Sequence, residues 1–193
     1  MAGRKIAKKF ENPLDNIIID FCEYIGPVFK SLNFTPNMLT TVSLIIALIG
    51  NYNIYLGNFE LGGLLFFIAY IFDCLDGNFA RRYNMVTEFG DFYDHLSDIS
   101  KNIVLIWVII SLNIKRKTKI YFVGFLIFTY ILQMVHLGCQ ELIYDKPSPF
   151  IGKLISLCTN KDNILYTRYI GCGTWYVLTV VIIIYLKQIN KLL

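Results

Sequence analysis

The chain lacks the patterns that would assign it to several common protein classes. Its five cysteines are odd in number, widely separated and without any C-x2-C spacing, so we predict small apolar packing residues, not disulfide partners or metal ligands. No apolar segment with a small-residue cleavage site follows the basic N-terminus, and no removable signal peptide is expected. The sequence shows no internal repeat and no low-complexity tail. Despite a net charge of +4, the basic residues form no stripe with interleaved aromatics, so we expect a membrane surface and no nucleic acid as partner.

Apolar residues are what the chain has in excess. Of its 193 residues, 55% are hydrophobic and 16% aromatic, and the mean hydropathy is +0.53. An ordinary soluble domain is about 45–50% apolar. The composition therefore predicts an all-α, polytopic membrane helical bundle, and the length leaves room for five or six spanning helices of about 20 residues each.

The predicted spans follow an amphipathic N-terminal region. Residues 1–36 are interpreted as a basic N-terminus and an amphipathic helix that lies along the membrane interface, with ordinary packing against the bundle as the alternative. Residues 37–193 form the predicted transmembrane domain. Whether there is a sixth span is left open. A short amphipathic helix is expected over 150–158. The glycines at 171 and 173 are positions where the last span can split or kink. The five predicted spans cover 37–56, 60–82, 87–112, 120–137 and 164–186.

Four aspartates lie within the second and third predicted spans: Asp73, Asp76, Asp94 and Asp98. A carboxylate at the centre of a spanning helix costs about 2.5–3.5 kcal/mol, so four unpaired ones would cost on the order of 10 kcal/mol. Their spacings of three and four residues place each pair on one helical face, and two antiparallel helices can direct both faces at one volume. Such carboxylates favour Mg²⁺ or Mn²⁺ supplemented by substrate phosphates.

Small residues and an arginine accompany these carboxylates. Gly77, Ala80 and Gly90 leave the helix surfaces open to a nucleotide diphosphate, and Arg81 offers a planar fork for phosphate oxygens. Taken singly, small residues in spans usually serve helix packing, and arginines at span ends usually reach toward lipid headgroups.

The combined pattern D-x2-D-G-x2-A-R-x8-G-x3-D-x3-D runs from Asp73 to Asp98 with every fixed position filled. It resembles the signature of the CDP-alcohol phosphotransferase family, also called CDP-alcohol phosphatidyltransferases. The resemblance implies two Mg²⁺ or Mn²⁺ ions bound by the four aspartates, and Asp98 as the general base. It also implies a nucleotide and diphosphate site. The residues expected there are Asp73, Gly77, Ala80 and Arg81, together with Asn37 and Thr40 from a segment that resembles the element preceding the motif.

The resemblance implies a metal-dependent membrane phosphotransferase of phospholipid synthesis. Its expected reaction moves a phosphatidyl group from CDP-diacylglycerol to a small polar alcohol such as inositol, glycerol 3-phosphate or serine, and releases CMP. The alternative is transfer from CDP-choline or CDP-ethanolamine to diacylglycerol, which the Asp94-His95 pair suggests and the short chain disfavours. An intramembrane prenyltransferase fits the small-residue positions poorly, and a non-enzymatic cation channel or scaffold needs no arginine beside the aspartates.

The remaining predictions concern the acceptor site, the orientation in the membrane and the oligomeric state. Lys101 lies three residues after Asp98, where it forms either a structural ion pair or a contact with an anionic acceptor; the other residues considered for an acceptor site are His136, Lys153 and Arg168. Basic residues near span ends are more numerous on the side of the N-terminus and the motif, which predicts a cytoplasmic site, although the loop at 115–119 argues the other way. The family resemblance also implies a homodimer.

Overall fold

Long α-helices make up most of the chain in a computed structural model that describes residues 3–144 and 148–193. Within that part, the remaining regular structure consists of short 3-10 helices, and there are no strands. The all-α prediction is therefore confirmed. The α-helices are α1 (Pro13–Ser31), α2 (Pro36–Tyr55), α3 (Phe59–Arg82), α4 (Glu88–Ser111), α5 (Arg116–Ile143), α6 (Ile164–Thr167), α7 (Cys172–Ile184) and α8 (Leu186–Leu192).

Helices α2 and α4 begin where local sequence signals place them. Thr35 caps α2 by accepting a hydrogen bond from the Met38 amide, and Pro36 occupies the first helical turn, where its missing N–H is not needed. Thr87 caps α4 in the same way, because its hydroxyl accepts from the Gly90 amide at 3.0 Å. These caps set the starts of α2 and α4 within one residue of the predicted ones.

Close packing of α2 on α3 forms the centre of the bundle. A Cβ built at Gly62 would lie 2.9 Å from the carbonyl oxygen of Gly50, so the two backbones meet where neither residue has a side chain. Leu39, Phe66 and Phe79 on these two helices are fully buried. The connection between α2 and α3 is short, so the helices run antiparallel, and α4 then packs against α2.

Among the described residues, three stretches are long and apolar enough to cross a membrane: Pro36–Tyr55, Arg116–Ile143 and Lys161–Ile184. Two further helices, α3 and α4, have 24 residues each, which is long enough for a span, but they carry the aspartates and other charged residues. That α3 and α4 also cross the membrane, which would give five spans, therefore stays a prediction.

Helix α5 continues six residues beyond its predicted end at 137. Glu141, one of the residues that suggested the end, and the neighbouring Gln140 have partners in the N-terminal segment. Lys5 forms an ion pair with Glu141, and Gln140 donates a hydrogen bond to the Glu11 carboxylate at 2.9 Å. The predicted end was wrong because these buried polar groups are satisfied by residues about 130 positions earlier in the chain.

The last predicted span is interrupted at Gly171. Helix α6 passes into a 3-10 helix, Arg168–Ile170, before α7 begins. A Cβ at Gly171 would lie 2.8 Å from Cδ2 of His136, so only glycine lets the chain pass so close to α5. The side-chain amide of Asn12 donates to the freed carbonyl of Arg168 at 2.5 Å, which satisfies a backbone group that the break exposes.

The prediction that all five cysteines serve only as packing residues was wrong for one pair. Cys139 and Cys158 form a disulfide, whereas Cys22, Cys74 and Cys172 are free thiols. The expected short helix over 150–158 is a 3-10 helix, Gly152–Leu157. It lies directly on α5 and ends beside Cys139, a proximity that no local spacing signals because the two cysteines are 19 positions apart.

Helix α1 has both a buried and an exposed apolar side. Ile18 and Cys22 are buried against the bundle, which is the packing that the sequence offered as an alternative. Ile17 and Tyr24 remain 69% and 81% exposed. The interfacial position of α1 stays a prediction, and these exposed apolar side chains are the surface that such a position would use.

Candidate active site

Three of the four predicted aspartates converge between α3 and α4. Carboxylate oxygens of Asp73, Asp94 and Asp98 lie within 4.8 Å of one another. Oδ1 of Asp94 is buried and has no hydrogen-bond partner among residues 3–144 and 148–193. An all-oxygen donor set with an unsatisfied buried carboxylate atom suits a hard divalent cation such as Mg²⁺ or Mn²⁺. The residues present therefore fit the metal that the sequence pattern implies.

A buried lysine joins this carboxylate cluster. The Nζ atom of Lys101 lies 2.6 Å from Oδ1 of Asp73 and 2.7 Å from Oδ1 of Asp98, and only 1% of the lysine is exposed. The same ammonium donates to the hydroxyl of Ser43 on α2 at 3.2 Å. The structure thus contains the ion pair that was one interpretation of Lys101. A contact with an acceptor substrate stays a prediction.

The fourth aspartate, Asp76, has a different environment. Its Oδ2 atom accepts a hydrogen bond of 2.6 Å from the hydroxyl of Thr40, and both side chains are almost completely buried. Asp76 and Thr40 both line a cavity that also reaches Asp94. Asp76 therefore lies in the wall of the nucleotide pocket that the sequence predicts, and Asp94 belongs both to this wall and to the carboxylate cluster.

That cavity has a volume of about 780 Å³ and lies at the ends of α2, α3 and α4. Five of the six residues predicted to bind the nucleotide and diphosphate line it: Asn37, Thr40, Gly77, Ala80 and Arg81. The sixth, Asp73, lies in the carboxylate cluster and is absent from the cavity lining in the described part of the chain, as is Asp98. The space is of the size that small-molecule sites occupy in proteins.

Two glycines of the motif keep this cavity open. A Cβ at Gly77 would lie 3.2 Å from Nη1 of Arg81, so the guanidinium extends across the bare backbone of α3. A Cβ at Gly90 would lie 3.2 Å from the side-chain oxygen of Asn37. The Nε atom of Arg81 donates to the carbonyl of Gly3 at 2.8 Å. The absence of side chains at Gly77 and Gly90 therefore leaves room for Arg81 and Asn37 at the cavity.

The residues considered for an acceptor site do not come together. His136 is fully buried, with Nδ1 at 3.3 Å from the hydroxyl of Thr167, whereas Lys153 is exposed on its 3-10 helix. Arg168 donates to the carbonyl of Lys9. None of the three lines the cavity in the part of the chain that the structure describes. Their role at an acceptor site stays a prediction.

Sequence reasoning missed several residues near the site. Ser43 follows Thr40 by three positions on the same face of α2, a spacing that could have identified it. The residues Gly3, Arg4 and Lys5 line the cavity although nothing in their local sequence indicates a site.

The sequence is similar to those of known proteins. The profile of the CDP-alcohol phosphatidyltransferase family matches residues 33–187, which is most of the chain. An archaetidylinositol phosphate synthase of Pyrococcus horikoshii is 37% identical over 94 residues, 49% of this chain and 46% of that protein. An uncharacterized protein of Aquifex aeolicus is 33% identical over 95 residues, 49% of this chain and 44% of that protein.

A third relative is a CDP-diacylglycerol--glycerol-3-phosphate 3-phosphatidyltransferase of Rickettsia felis. It is 39% identical over 66 residues, 33% of this chain and 36% of that protein. The chain thus spans less than half the length of each of these curated relatives. No solved structure matches the chain.

Proposed function

Because the chain belongs to the CDP-alcohol phosphatidyltransferase family, we propose that it transfers a phosphatidyl group from CDP-diacylglycerol to the hydroxyl of a small polar alcohol and releases CMP. The observation that carries the proposal is the position of the cavity. It is lined by five of the six predicted nucleotide-binding residues and reaches Asp94 of the carboxylate cluster. The name of the Rickettsia felis relative contains this donor and one such alcohol, glycerol 3-phosphate.

The proposed site uses Mg²⁺ or Mn²⁺, with two ions expected. Asp73, Asp94 and Asp98 would hold metal through their clustered oxygens, and Asp76 would contribute from the cavity wall. When bound, such ions neutralise the charge of a diphosphate and of the departing CMP. The donor set fits this role because phosphate oxygens can complete the coordination that carboxylates begin.

The proposed reaction assigns separate tasks to the chain's own residues. Arg81 binds diphosphate oxygens, and the bare backbone at Gly77 lets the diphosphate approach α3. The acceptor oxygen bonds to the β-phosphorus while the bond from that phosphorus to the oxygen of CMP breaks. Asp98 takes the proton of the acceptor hydroxyl, and its ion pair with Lys101 fixes the orientation of that carboxylate.

The test is CMP release by the purified protein in lipid with Mg²⁺ or Mn²⁺, across paired donors and acceptors. We expect CMP from CDP-diacylglycerol with one polar alcohol, a requirement for the divalent ion, and loss of CMP formation in Asp98→Asn. Asp162→Asn is the matched control, because Asp162 is exposed and is not part of the cavity lining in the described residues.

Other outcomes would change the assignment. CMP from CDP-choline or CDP-ethanolamine with diacylglycerol would establish the alternative reaction. A folded protein that yields no metal-dependent CMP from any pair would contradict the proposed function and favour a prenyltransferase or a non-enzymatic cation-binding protein.

The proposal extends to the arrangement in the membrane. We take α2, α3, α4, α5 and the stretch that ends with α7 as five spans, with the site near the cytoplasmic surface and residues 1–36 at the interface. A homodimer is the proposed assembly. Light scattering on the detergent-solubilised protein measures the oligomeric state, and labelling of single cysteines introduced on either side of α4 measures the orientation.

A further inference from the structure

The segment before α1 forms part of the cavity wall. Gly3, Arg4 and Lys5 line the cavity together with Arg81. All three precede residue 33, where the match to the family profile begins. They therefore contribute to the site from outside the part of the chain that identifies the family.

Gly3 is held tightly against α3. Its φ of +85° is a conformation that favours glycine, and a Cβ there would lie 2.6 Å from Nδ2 of Asn78. Its carbonyl accepts the 2.8 Å hydrogen bond from Nε of Arg81. Because this bond engages one edge of the guanidinium, it restrains Arg81 to one orientation over Gly77.

Lys5 brings a second positive charge to the same wall. Its ammonium forms an ion pair with Glu141, whose side chain is completely buried. The other oxygen of Glu141 accepts from the Ser148 amide at 2.7 Å, which fixes the carboxylate. The Lys5 side chain remains 20% exposed, and an ammonium has three donors. The ion pair therefore positions the cation and leaves donors for an anionic ligand.

The residues before α1 are anchored to the bundle at several positions. Arg4 forms an ion pair with Asp20 and donates to the side-chain oxygen of Asn16 at 2.8 Å. Ile6 is 4% exposed, and Asn12 is fully buried at the start of α1. Gly3 and Lys5 consequently hold defined positions at the cavity.

We propose that the segment Gly3–Lys5 completes the phosphate-binding wall of the cavity. The Gly3 carbonyl positions Arg81, and Lys5 donates to a phosphate oxygen of a substrate. The inference rests on the proposed function, since it is the phosphates of those substrates that Lys5 binds. The phosphate belongs either to the donor's diphosphate or to an acceptor such as glycerol 3-phosphate, and the experiment separates these two sources.

The test compares Lys5→Met with Lys8→Met in the full-length protein in lipid. Both lysines pair with a carboxylate, but Lys8 pairs with exposed Asp20 at 2.7 Å and does not line the cavity in the described residues. Calorimetric titration with CDP in the presence of Mn²⁺ measures binding without turnover, and steady-state kinetics give KM for donor and acceptor. We expect Lys5→Met to weaken CDP about tenfold or more if it binds the donor. If it binds the acceptor phosphate, KM for glycerol 3-phosphate rises similarly and CDP affinity is unchanged.

A second pair of variants tests the positioning of Arg81. Gly3→Ala should raise the dissociation constant for CDP and the donor KM, with kcat largely retained. Gly57→Ala is its control, because Gly57 has the same φ of +85° but a Cβ there would meet nothing within 4 Å. Should Gly3→Ala fail to fold, as thermal unfolding would reveal, a variant that begins after Gly3 replaces it. That variant removes the carbonyl that accepts from Arg81 without adding a Cβ, and it should weaken CDP binding in the same way.

Two results would overturn the inference in distinguishable ways. If the wild type binds CDP and releases CMP while Lys5→Met matches Lys8→Met in every constant, Lys5 is a structural ion pair and the wall does not include it. A wild type that neither binds CDP nor releases CMP would refute the proposed function and this inference together.

Discussion

Replacing Lys101 with methionine should destabilise the metal-free protein. It should also increase the rise in Tm that a divalent cation produces. The lysine is 1% exposed, and its ammonium lies 2.6 Å from Asp73 and 2.7 Å from Asp98. Methionine fills a similar volume without charge, so the substitution leaves two close carboxylates without their cation. Removing one partner of a buried ion pair typically costs about 3–5 kcal/mol.

The assay is thermal unfolding in detergent micelles with a chelator and then with Mn²⁺. For a chain of this length, a loss of that size lowers Tm by roughly 10 °C. Mn²⁺ should raise Tm more for Lys101→Met than for the wild type, because the metal replaces the missing positive charge between the carboxylates. Lys161→Met is the control, since Lys161 is exposed and its loss should change stability by less than about 0.5 kcal/mol.

The reasoning would be refuted by a variant as stable as the wild type in chelator. It would also be refuted by a destabilised variant that gains no more from Mn²⁺ than the wild type gains. The first result would mean that the two carboxylates do not need Lys101, and the second that a bound ion does not replace the positive charge of Lys101.

Three further predictions concern the cavity, the N-terminal segment and the disulfide. Thr40→Val removes the hydrogen bond to Asp76 and should weaken CDP binding about tenfold, as measured by calorimetry. Burial and then the charge of Asp15 raise the pKa of Glu11 from 4.5 to about 7, so the folded state holds a proton that the unfolded state releases. The free energy of unfolding should therefore fall by up to about 3 kcal/mol as pH rises from 4.5 to 7. Glu11→Gln should reduce this dependence when unfolding is measured at several pH values. Cys139→Ser opens the loop to Cys158 and should cost about 3 kcal/mol, and a reductant should lower the Tm of the wild type but not of the variant.

Periodicity and local caps made much of the helical structure predictable. The apolar runs placed α2, α3 and α4 within a residue or two. In the structure, the Thr35 and Thr87 caps set the starts of α2 and α4 through hydrogen bonds within one turn. The end of α5 was not predictable in this way, and the break in the last span, which the glycines at 171 and 173 suggested, has partners that local sequence does not show. Both features depend on Lys5, Glu11 and Asn12, which satisfy polar groups more than 120 positions away.

The sequence by itself determined that aspartates of two neighbouring helices face one another, since spacings of three and four put them on two helical faces that a short loop turns toward each other. It did not determine that Asp73, Asp94 and Asp98 cluster while Asp76 bonds to Thr40 instead. Only the tertiary structure decided that Lys101 also pairs with Asp73 on the neighbouring helix, that Cys139 pairs with Cys158, and that Gly3–Lys5 reach the cavity. The physical reason is range. Helical periodicity fixes neighbours within one or two turns, whereas a buried charge or thiol takes its partner from whichever distant segment the packing of the bundle brings beside it.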